Sequence, residues 1–295
     1  MNTKVLFNSA IILLIVLFFS SCEKERSENK NNPLPASDFS VSVINNKLVF
    51  PTVLDYEKAI AYLGKIGDEN FDIWEQSIGF KSMRQVVGLE NDTLVKDPLL
   101  GTIINQDYEI VIQGYNFKLN LKEEEVEVVS VNNDLKSTGI KQVYSTSIDL
   151  LDKIFYPEND TKPKATKLKG WFHDKGGTYR YDVSSGSHVK CKVVYQKAAI
   201  YFSLLSDIKH VNLAGCGGQV YIGYEYLPGC YYDSKKKDEP RKEIPMYADG
   251  GNCREYDRRP YHGSRGLEAY YLSVDFWLND QGWNNYGHIT LTIEN

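Results

Sequence analysis

Apolar residues in the first half of the chain recur at helical spacing and then change to alternation. Leu48-Val49-Phe50 predicts a short strand, and Thr52 followed by Asp55 is typical of a capping box that opens a helix. Three helical stretches follow, and Pro98 is expected to end them; their apolar positions are Tyr56, Ile60 and Leu63, then Phe71, Trp74 and Ile78, then Met83, Val86 and Val87. Strand-like runs come next, at 108–112, 115–121 and 125–131. Residues 39–131 are therefore predicted to form a small α+β domain.

The second half of the chain has the two-residue period of half-buried strands. A polar segment at 132–169 predicts a linker with one weak helix at 146–155. Beyond it, apolar and polar residues alternate, as at Leu272, Val274 and Phe276. Strands are predicted near 178–183, 189–195, 199–205, 219–226, 269–278 and 287–293. The predicted fold class is mainly β, with an antiparallel sandwich-like domain over 170–295 after the small α+β domain.

The start of the chain differs from both of these parts. An apolar run at 10–19 leads directly into Ser20-Ser21-Cys22. This layout resembles a bacterial lipoprotein signal peptide with its lipobox, which implies cleavage after residue 21 and attachment of acyl chains such as palmitate at Cys22. A transmembrane anchor is one alternative, although a span needs about 20 apolar residues. An ordinary cleavable signal peptide is the other.

Residues 22–38 are predicted to be a flexible tether. They are charged, rich in Asn and Pro, and too poor in large apolar groups to offset the entropy of ordering. The charged start Glu23-Lys24-Glu25 resembles the surface-export signals of Bacteroidota lipoproteins. That resemblance implies an outer-membrane protein, lipid-anchored and facing the cell surface.

The α+β region also resembles the N-terminal region of uncharacterised envelope lipoproteins of Bacteroidota. The resemblance covers about 90 residues and lies in short motifs, which are Leu48-Val49-Phe50, Trp74-Glu75, Gly79-Phe80-Lys81-Ser82-Met83, Asp97-Pro98-Leu99-Leu100 and Asn105. That family implies no activity for this chain. Trp74 and Phe80 are also explained as core residues, and Asp97-Pro98 as a helix stop.

Composition limits the classes of partner. The formal net charge of −5 and pI near 5.6 argue against a nucleic-acid partner, which would require a concentrated basic surface. The 21 tyrosines favour strands, and they also suit an exposed contact surface. The expected partners are thus the membrane, through the lipid, and a glycan or an envelope protein.

Four cysteines remain once Cys22 is assigned to lipid, and all four lie in the C-terminal half: Cys191, Cys216, Cys230 and Cys253. Outside the cytoplasm they can form two disulfides in any of three connectivities. A zinc site is disfavoured because no Cys-x-x-Cys pair occurs. Free buried cysteines are the remaining alternative.

A long interruption between predicted strands, residues 227–266, is the candidate binding segment because long loops commonly carry function. Its basic and aromatic residues suit stacking on sugars or clamping of an acidic glycan. The candidate ligand contacts are Tyr231, Tyr232, Arg254, Tyr256, Arg258, Arg259, Tyr261 and His262. A solvated loop held by a disulfide at Cys230 or Cys253 is the alternative, since the charges of this segment nearly balance.

No catalytic or cofactor motif is evident. The histidines are scattered, and the phosphate-loop and nucleophile-elbow patterns are absent, so we expect no cofactor and no metal. Glu225, Asp249 and Asp275 are candidate carboxylates only by their position near strands. Asp92-Thr93-Leu94 resembles an O-glycosylation motif of exported Bacteroidota proteins, which makes Thr93 a possible modification site.

These patterns favour a lipid-anchored envelope protein without enzymatic activity, which binds a glycan or protein partner through its C-terminal β domain. A carbohydrate-active hydrolase of unrecognised type is the main alternative. A purely structural envelope component is the third possibility.

Overall fold

The computed structural model describes residues 36–89, 94–156, 177–184, 187–211, 220–235, 239–252, 256–280 and 286–295. The predicted signal peptide and most of the predicted tether lie outside these ranges. Ser37–Asn295 form one unit. Within it, an α+β portion precedes two antiparallel sheets, so the predicted mainly β class with a sandwich-like C-terminal half is confirmed.

The first sheet contains six strands in chain order, and its strands pair antiparallel except for β2 with β3. Within the described residues, four α-helices and a 3-10 turn (Asp68–Asn70) lie between β2 and β3 in the chain, and they provide the long crossover that a parallel pair requires. The strands are β1 (Ser42–Ile44), β2 (Lys47–Phe50), β3 (Glu109–Ile112), β4 (Tyr115–Asn120), β5 (Glu125–Ser130) and β6 (Gln142–Ser145). The helices are α1 (Val53–Ile66), α2 (Phe71–Ile78), α3 (Met83–Val86) and α4 (Pro98–Ile103).

Local sequence signals explain how the helices begin. The Thr52 side chain accepts a hydrogen bond from the Asp55 backbone N–H at 3.0 Å, so the predicted cap of α1 is confirmed. The expectation that Pro98 ends the helical region is wrong, because Pro98 opens α4. Proline lacks only an N–H that is unpaired in a first turn, and the Asp97 carboxylate caps the Leu99 N–H at 2.9 Å.

The segment predicted as a linker contributes to the first sheet. Strand β6 pairs with β5, and the weak helix predicted at 146–155 is confirmed as α5 (Leu150–Phe155). The predicted boundary loop at 157–164 lies outside the described residues.

Two antiparallel sheets form the C-terminal half. One has the order β14-β9-β8-β7, and in the other β15 pairs with β10, β11 and β16, with β12 beside β11 and β13 beside β10. The strands are β7 (Gly177–Ser184), β8 (Ser187–Lys197), β9 (Phe202–Val211), β10 (Val220–Tyr226), β11 (Tyr231–Ser234), β12 (Lys242–Glu243), β13 (Ala248–Asn252), β14 (Tyr256–Gly263), β15 (Leu267–Asp280) and β16 (Tyr286–Glu294).

Alternate residues of these two sheets meet in a single apolar core. Val193 and Leu204 face it from one sheet, and Tyr224, Val274 and Phe276 face it from the other. The predicted alternation in β15 is thereby confirmed. Burial of this shared face is the main stabilisation that a sandwich of two sheets provides.

The described cysteines lie in the same core. Cys191 and Cys230 are free buried thiols, which matches the alternative of unpaired core cysteines for these two positions. Burial raises the pKa of the Cys191 thiol to about 12. Two disulfides would need all four cysteines, so the structure does not contain both. Cys216 and Cys253 lie outside the described residues, and a disulfide between these two stays a prediction.

The β8–β9 turn joins the sandwich to the helices. Ile200 and Tyr201 of this turn are fully buried, and the Tyr56 hydroxyl of α1 donates to the Ile200 carbonyl at 3.0 Å. The Leu150 N–H at the start of α5 donates to the Ala199 carbonyl at 3.0 Å. None of the helices in the described ranges is sufficiently long and apolar to cross a membrane.

Replacing Tyr56 by Phe should lower the free energy of unfolding by about 1 to 3 kcal/mol, because it leaves the buried Ile200 carbonyl without this donor. Urea denaturation monitored by circular dichroism measures the change. Tyr115→Phe is the matched control, since the Tyr115 ring packs edge-on against Phe155 and the substitution keeps that contact. Equal destabilisation by both variants would contradict the assigned role of the Tyr56 hydroxyl.

Alkylation tests the state of the buried thiols. In the native protein the Cys191 peptide should resist iodoacetamide, because the thiol is both buried and protonated. After unfolding without reductant, Cys191 and Cys230 should both be alkylated, as read by peptide mass spectrometry. If their labelling needs prior reduction, both are in disulfides and the assignment as free thiols is wrong.

Candidate ligand-binding cleft

Four strands run through the predicted binding segment, where an irregular loop was expected. Residues 227–266 contain β11, β12, β13 and β14, each paired with a neighbouring strand. The expectation of a long interruption between strands is therefore wrong. These strands are short or interrupted by glycine and proline, so they lack the alternation of long strands.

An irregularity in β14 decides which candidate residues lie together. Arg258 pairs with Ser206 and Tyr261 pairs with Leu204, so two residues of β14 stand opposite the single residue between them on β9. Such a bulge shifts the alternation of side chains by one position. Arg258 and Tyr261 therefore share the face toward β11, whereas Arg259 and His262 face the helices.

On the first face lies a cleft of about 340 Å³. It is lined by Tyr232, Lys242, Glu243, Ile244, Pro245, Arg258 and Pro260. Three short elements, β11, β12 and β14, thus bring two cations, one carboxylate and an aromatic ring around one space. We refer to this set of residues as the cleft.

Arg258 is the central cation of the cleft. Its guanidinium carbon lies 3.8 Å from the centroid of the Tyr247 ring and 5.3 Å from that of Tyr226. Nη1 of Arg258 is buried and has no hydrogen-bond partner in the part of the chain that the structure describes. A buried donor without an acceptor is costly, so an acceptor on a ligand would gain more here than at an exposed arginine.

Aromatic rings and a second cation surround Arg258. The Tyr232 and Tyr261 rings lie 5.1 Å apart, and Lys242 Nζ lies 5.9 Å from the Tyr232 ring. Lys242 is also paired with Glu239 at 2.6 Å, and this hydrogen bond raises the pKa of Lys242. Burial raises the pKa of Tyr232, so its hydroxyl stays protonated.

Tyr231 precedes Tyr232 on β11, so its side chain points to the opposite face of the strand. The guanidinium carbon of Arg241 lies 4.1 Å from its ring centroid. This second arginine–tyrosine stack is separate from the cleft. Such stacks hold a guanidinium plane in place while leaving its edges available for hydrogen bonds.

The second face of β14 holds the sheet against the helices. Arg259 Nη2 lies 2.8 Å from Asp97 and 3.0 Å from Asp68, and its side chain is only 5% exposed. Asp97 is fully buried and also accepts hydrogen bonds from Tyr201 at 2.7 Å and from Ser203. Arg259 is therefore a structural residue, contrary to its prediction as a ligand contact.

Protonation equilibria in this ion pair follow from burial. Burial opposes ionisation of Asp97, but Arg259 and the hydrogen bonds from Ser203 and Tyr201 outweigh it and lower the pKa of Asp97. Burial raises the pKa of Asp68 to about 7, against the attraction of Arg259 and with the help of Asp257 and Asp97. The same guanidinium thus contacts one aspartate with a lowered pKa, Asp97, and one with a raised pKa, Asp68.

His262 occupies a similar structural position. A Cβ atom on Gly64 of α1 would overlap the His262 ring, so the glycine permits close contact between α1 and β14. Burial and Arg259 lower the pKa of His262, which favours the neutral imidazole. His262 therefore packs against a helix and does not line the cleft.

Of the predicted contacts, Tyr232 and Arg258 line the cleft, and the Tyr261 ring lies 5.1 Å from that of Tyr232. Tyr231 is not among the lining residues, because its side chain points to the opposite face of β11. Tyr256 of β14 pairs through its backbone with Ile208 of β9, and its side chain lies outside the described part of the structure. Arg254, Cys22 and Thr93 lie outside the described residues. Tyr247, which stacks on Arg258, was not predicted, since its position three residues beyond Ile244 gave no periodic signal.

The candidate carboxylates lie elsewhere. Glu225 of β10 is directly opposite Asp275 of β15, and Asp249 accepts a hydrogen bond from Tyr247 at 3.0 Å. Glu243 is the carboxylate among the residues that line the cleft. No group of three or more metal-ligating side chains occurs within the described ranges.

The chain matches no family model and no curated protein. Among solved structures it matches the crystal structure of a DUF4848 family protein from Bacteroides thetaiotaomicron, with 11% sequence identity. The match covers 86% of this chain and 100% of that chain, with a TM-score of 0.23. This similarity is too low to assign the chain to a family or an activity.

The buried aspartate near Arg259 predicts a pH dependence of stability. In the folded state Asp68 keeps its proton up to about pH 7, whereas in the unfolded state it loses it near 3.8. The unfolded state therefore binds fewer protons in this window, and the Asp68 contribution to stability is lost as pH rises from about 4 to about 7. Because asparagine does not titrate, Asp68→Asn should remove this decrease in the free energy of unfolding.

Urea midpoints of the native protein and of Asp68→Asn, measured at about pH 5 and about pH 8, check this expectation. The midpoint of the variant, relative to the native protein, should be higher at the upper pH. Asp134→Asn, at an exposed position, should give the same difference at both pH values. A pH-independent difference for Asp68→Asn would contradict the raised pKa.

Proposed function

We propose that this protein is a lipid-anchored cell-envelope protein that binds a glycan carrying an anionic group in the cleft. The observation that carries this proposal is Arg258, a cation of the cleft whose buried Nη1 has no acceptor within the described part of the chain. A carboxylate on a sugar would satisfy that donor through a charge-assisted hydrogen bond.

The walls of the cleft suit a sugar. Tyr232 offers an aromatic ring, Ile244 and Pro245 offer apolar surface, and Lys242 adds a second cation. A volume of about 340 Å³ is near the lower end of the usual range for small-molecule sites. This favours a small ligand, or the end of a glycan chain, over a folded protein partner.

The geometry of Arg258 favours recognition over mere charge attraction. Stacking on Tyr247 and Tyr226 fixes the guanidinium plane, so little rotamer entropy remains to be lost when a ligand binds. Glu243 on the same wall repels an anion placed beside it. The anionic group is therefore expected at the Arg258 side, with hydroxyl groups toward Glu243.

The location is proposed from the leader sequence. The apolar run before Cys22 and the polar segment after it support a signal peptide, acylation and a tether that holds the binding portion away from the membrane. A surface-exposed position on the outer membrane would give the cleft access to glycans outside the cell.

Binding of glycans by the purified protein tests the cleft. On an array of neutral and carboxylated oligosaccharides, the protein should retain carboxylated members, and Arg258→Gln should weaken that binding about tenfold or more. Lys118→Gln is the matched control, because it removes one positive charge at an exposed position of β4. Unchanged affinity of Arg258→Gln for every retained carboxylated glycan would overturn the proposal.

The lipid anchor has its own test. Protein extracted from cell membranes should begin at residue 22 and carry the added mass of acyl chains on Cys22, as read by intact mass spectrometry. Cys22→Ser should move the protein from the detergent phase to the aqueous phase in a phase-partition experiment. A membrane-extracted chain that retains Met1 would contradict cleavage at the lipobox.

A further inference from the structure

An indole ring lies across the outer face of the C-terminal sheet, on the side away from the core. Leu272, Val274 and Phe276 of β15 face the core, so the alternation directs Trp277 outward. Trp277 is half-buried. Its position was not singled out by the sequence patterns.

Two glycines allow the ring to lie sideways on the sheet. Gly223 of β10 pairs with Trp277 on one side and with Gly250 of β13 on the other. A Cβ atom at Gly223 would overlap the indole, and one at Gly250 would lie 3.1 Å from Trp277 Cζ2. The indole therefore extends over β10 as far as β13.

Polar and aromatic side chains of the same face flank this ring. Tyr221 lies two residues before Gly223 on β10 and is 38% exposed. In the next row, Glu225 stands directly opposite Asp275, and Asp275 accepts a hydrogen bond from Thr290 at 3.2 Å. We refer to Trp277, Tyr221, Glu225 and Asp275 as the platform.

We infer that the platform is a second binding site, separate from the cleft, and that its ligand is a neutral glycan. One pyranose ring would place its apolar C–H face on Trp277, which removes apolar surface of both partners from water. Hydroxyl groups at the rim of the sugar would donate to Glu225 and Asp275.

The charges of the platform favour this ligand. Two carboxylates directly opposite each other in a sheet repel, and hydroxyl donors placed between them reduce that repulsion. An acidic sugar would add a third negative charge, so it is disfavoured. A protein surface would have to bury both carboxylates, which costs more than leaving them at the hydrated rim of a sugar.

Coverage of the glycines by Trp277 has a structural benefit as well, because an aromatic ring over a glycine protects the backbone of a sheet. That benefit explains the contact with Gly223, but it does not require the neighbouring exposed Tyr221 or the pair of carboxylates. The platform combines all three features on one face.

A titration with neutral oligosaccharides tests the platform directly. Cello-, xylo-, manno- and malto-oligosaccharides are added to the full protein, and the indole N–H resonances are followed by ¹⁵N-correlated nuclear magnetic resonance. Trp277→Phe identifies the resonance of Trp277. At least one neutral oligosaccharide should shift that resonance in a saturable manner.

Variants then connect the shift to affinity. Trp277→Ala should weaken binding about tenfold or more, and Tyr221→Ala should weaken it less. Because Trp277→Ala uncovers two glycines and can unfold the sheet, Trp277→Phe is measured too; it keeps the glycines covered and should bind with intermediate affinity. Thermal melting confirms that each variant is folded.

The cleft provides the matched control. Arg258→Gln should leave binding of the neutral oligosaccharide unchanged, so failure of the cleft and failure of the platform give different results. The inference is overturned if no neutral oligosaccharide shifts the Trp277 resonance. It is also overturned if folded Trp277→Phe and Tyr221→Ala both bind as the native protein does.

Discussion

The buried ion pair between Asp97 and Arg259 is the interaction on which the remaining geometry depends. Asp97 caps α4 and accepts hydrogen bonds from Tyr201 and Ser203, so one carboxylate joins a helix, the β8–β9 turn, β9 and β14. Removing one member of such a pair leaves an uncompensated buried charge, which typically costs about 3 to 5 kcal/mol. The α+β portion and the sandwich are therefore held as one unit by a polar contact as well as by apolar packing.

That ion pair also determines where the cleft lies. Arg258 and Arg259 are neighbours in sequence, and the bulge in β14 sends them to opposite faces. With Arg259 fixed on Asp97, the backbone of β14 cannot rotate, so Arg258 is held against Tyr247. A second contact follows at the β14–β15 turn, where Arg265 pairs with Glu57 of α1 at 3.1 Å. The cleft is thus built on a strand that ion pairs hold at its centre and just beyond its C-terminal end.

Regular periodicity predicted much of this fold, and exceptions to it explain what could not be predicted. The cap at Thr52 and the alternation in β15 are local signals, and both appear in the structure. Asp97-Pro98 reads equally well as a helix stop or a helix start, since its role depends on what Asp97 contacts far along the chain. The partner is Arg259, 162 residues later. An ion pair between residues so far apart cannot be predicted from local sequence patterns.

The candidate sites also combine features that the sequence predicts with features that depend on contacts between distant residues. All the residues that line the cleft belong to the tyrosine- and arginine-rich segment 227–266, because composition is independent of register. Composition was insufficient to separate Arg258 from Arg259, since a bulge depends on the neighbouring strand.

The platform could not be predicted from the sequence, because Gly223, Gly250 and Trp277 come from three separate strands. The net charge of −5 also does not show how charges are distributed. Two cations and one carboxylate line the cleft, whereas two carboxylates stand opposite each other on the outer face of the sheet. The ligands proposed for the cleft and for the platform differ in charge, so the two sites together would select different parts of a heterogeneous glycan.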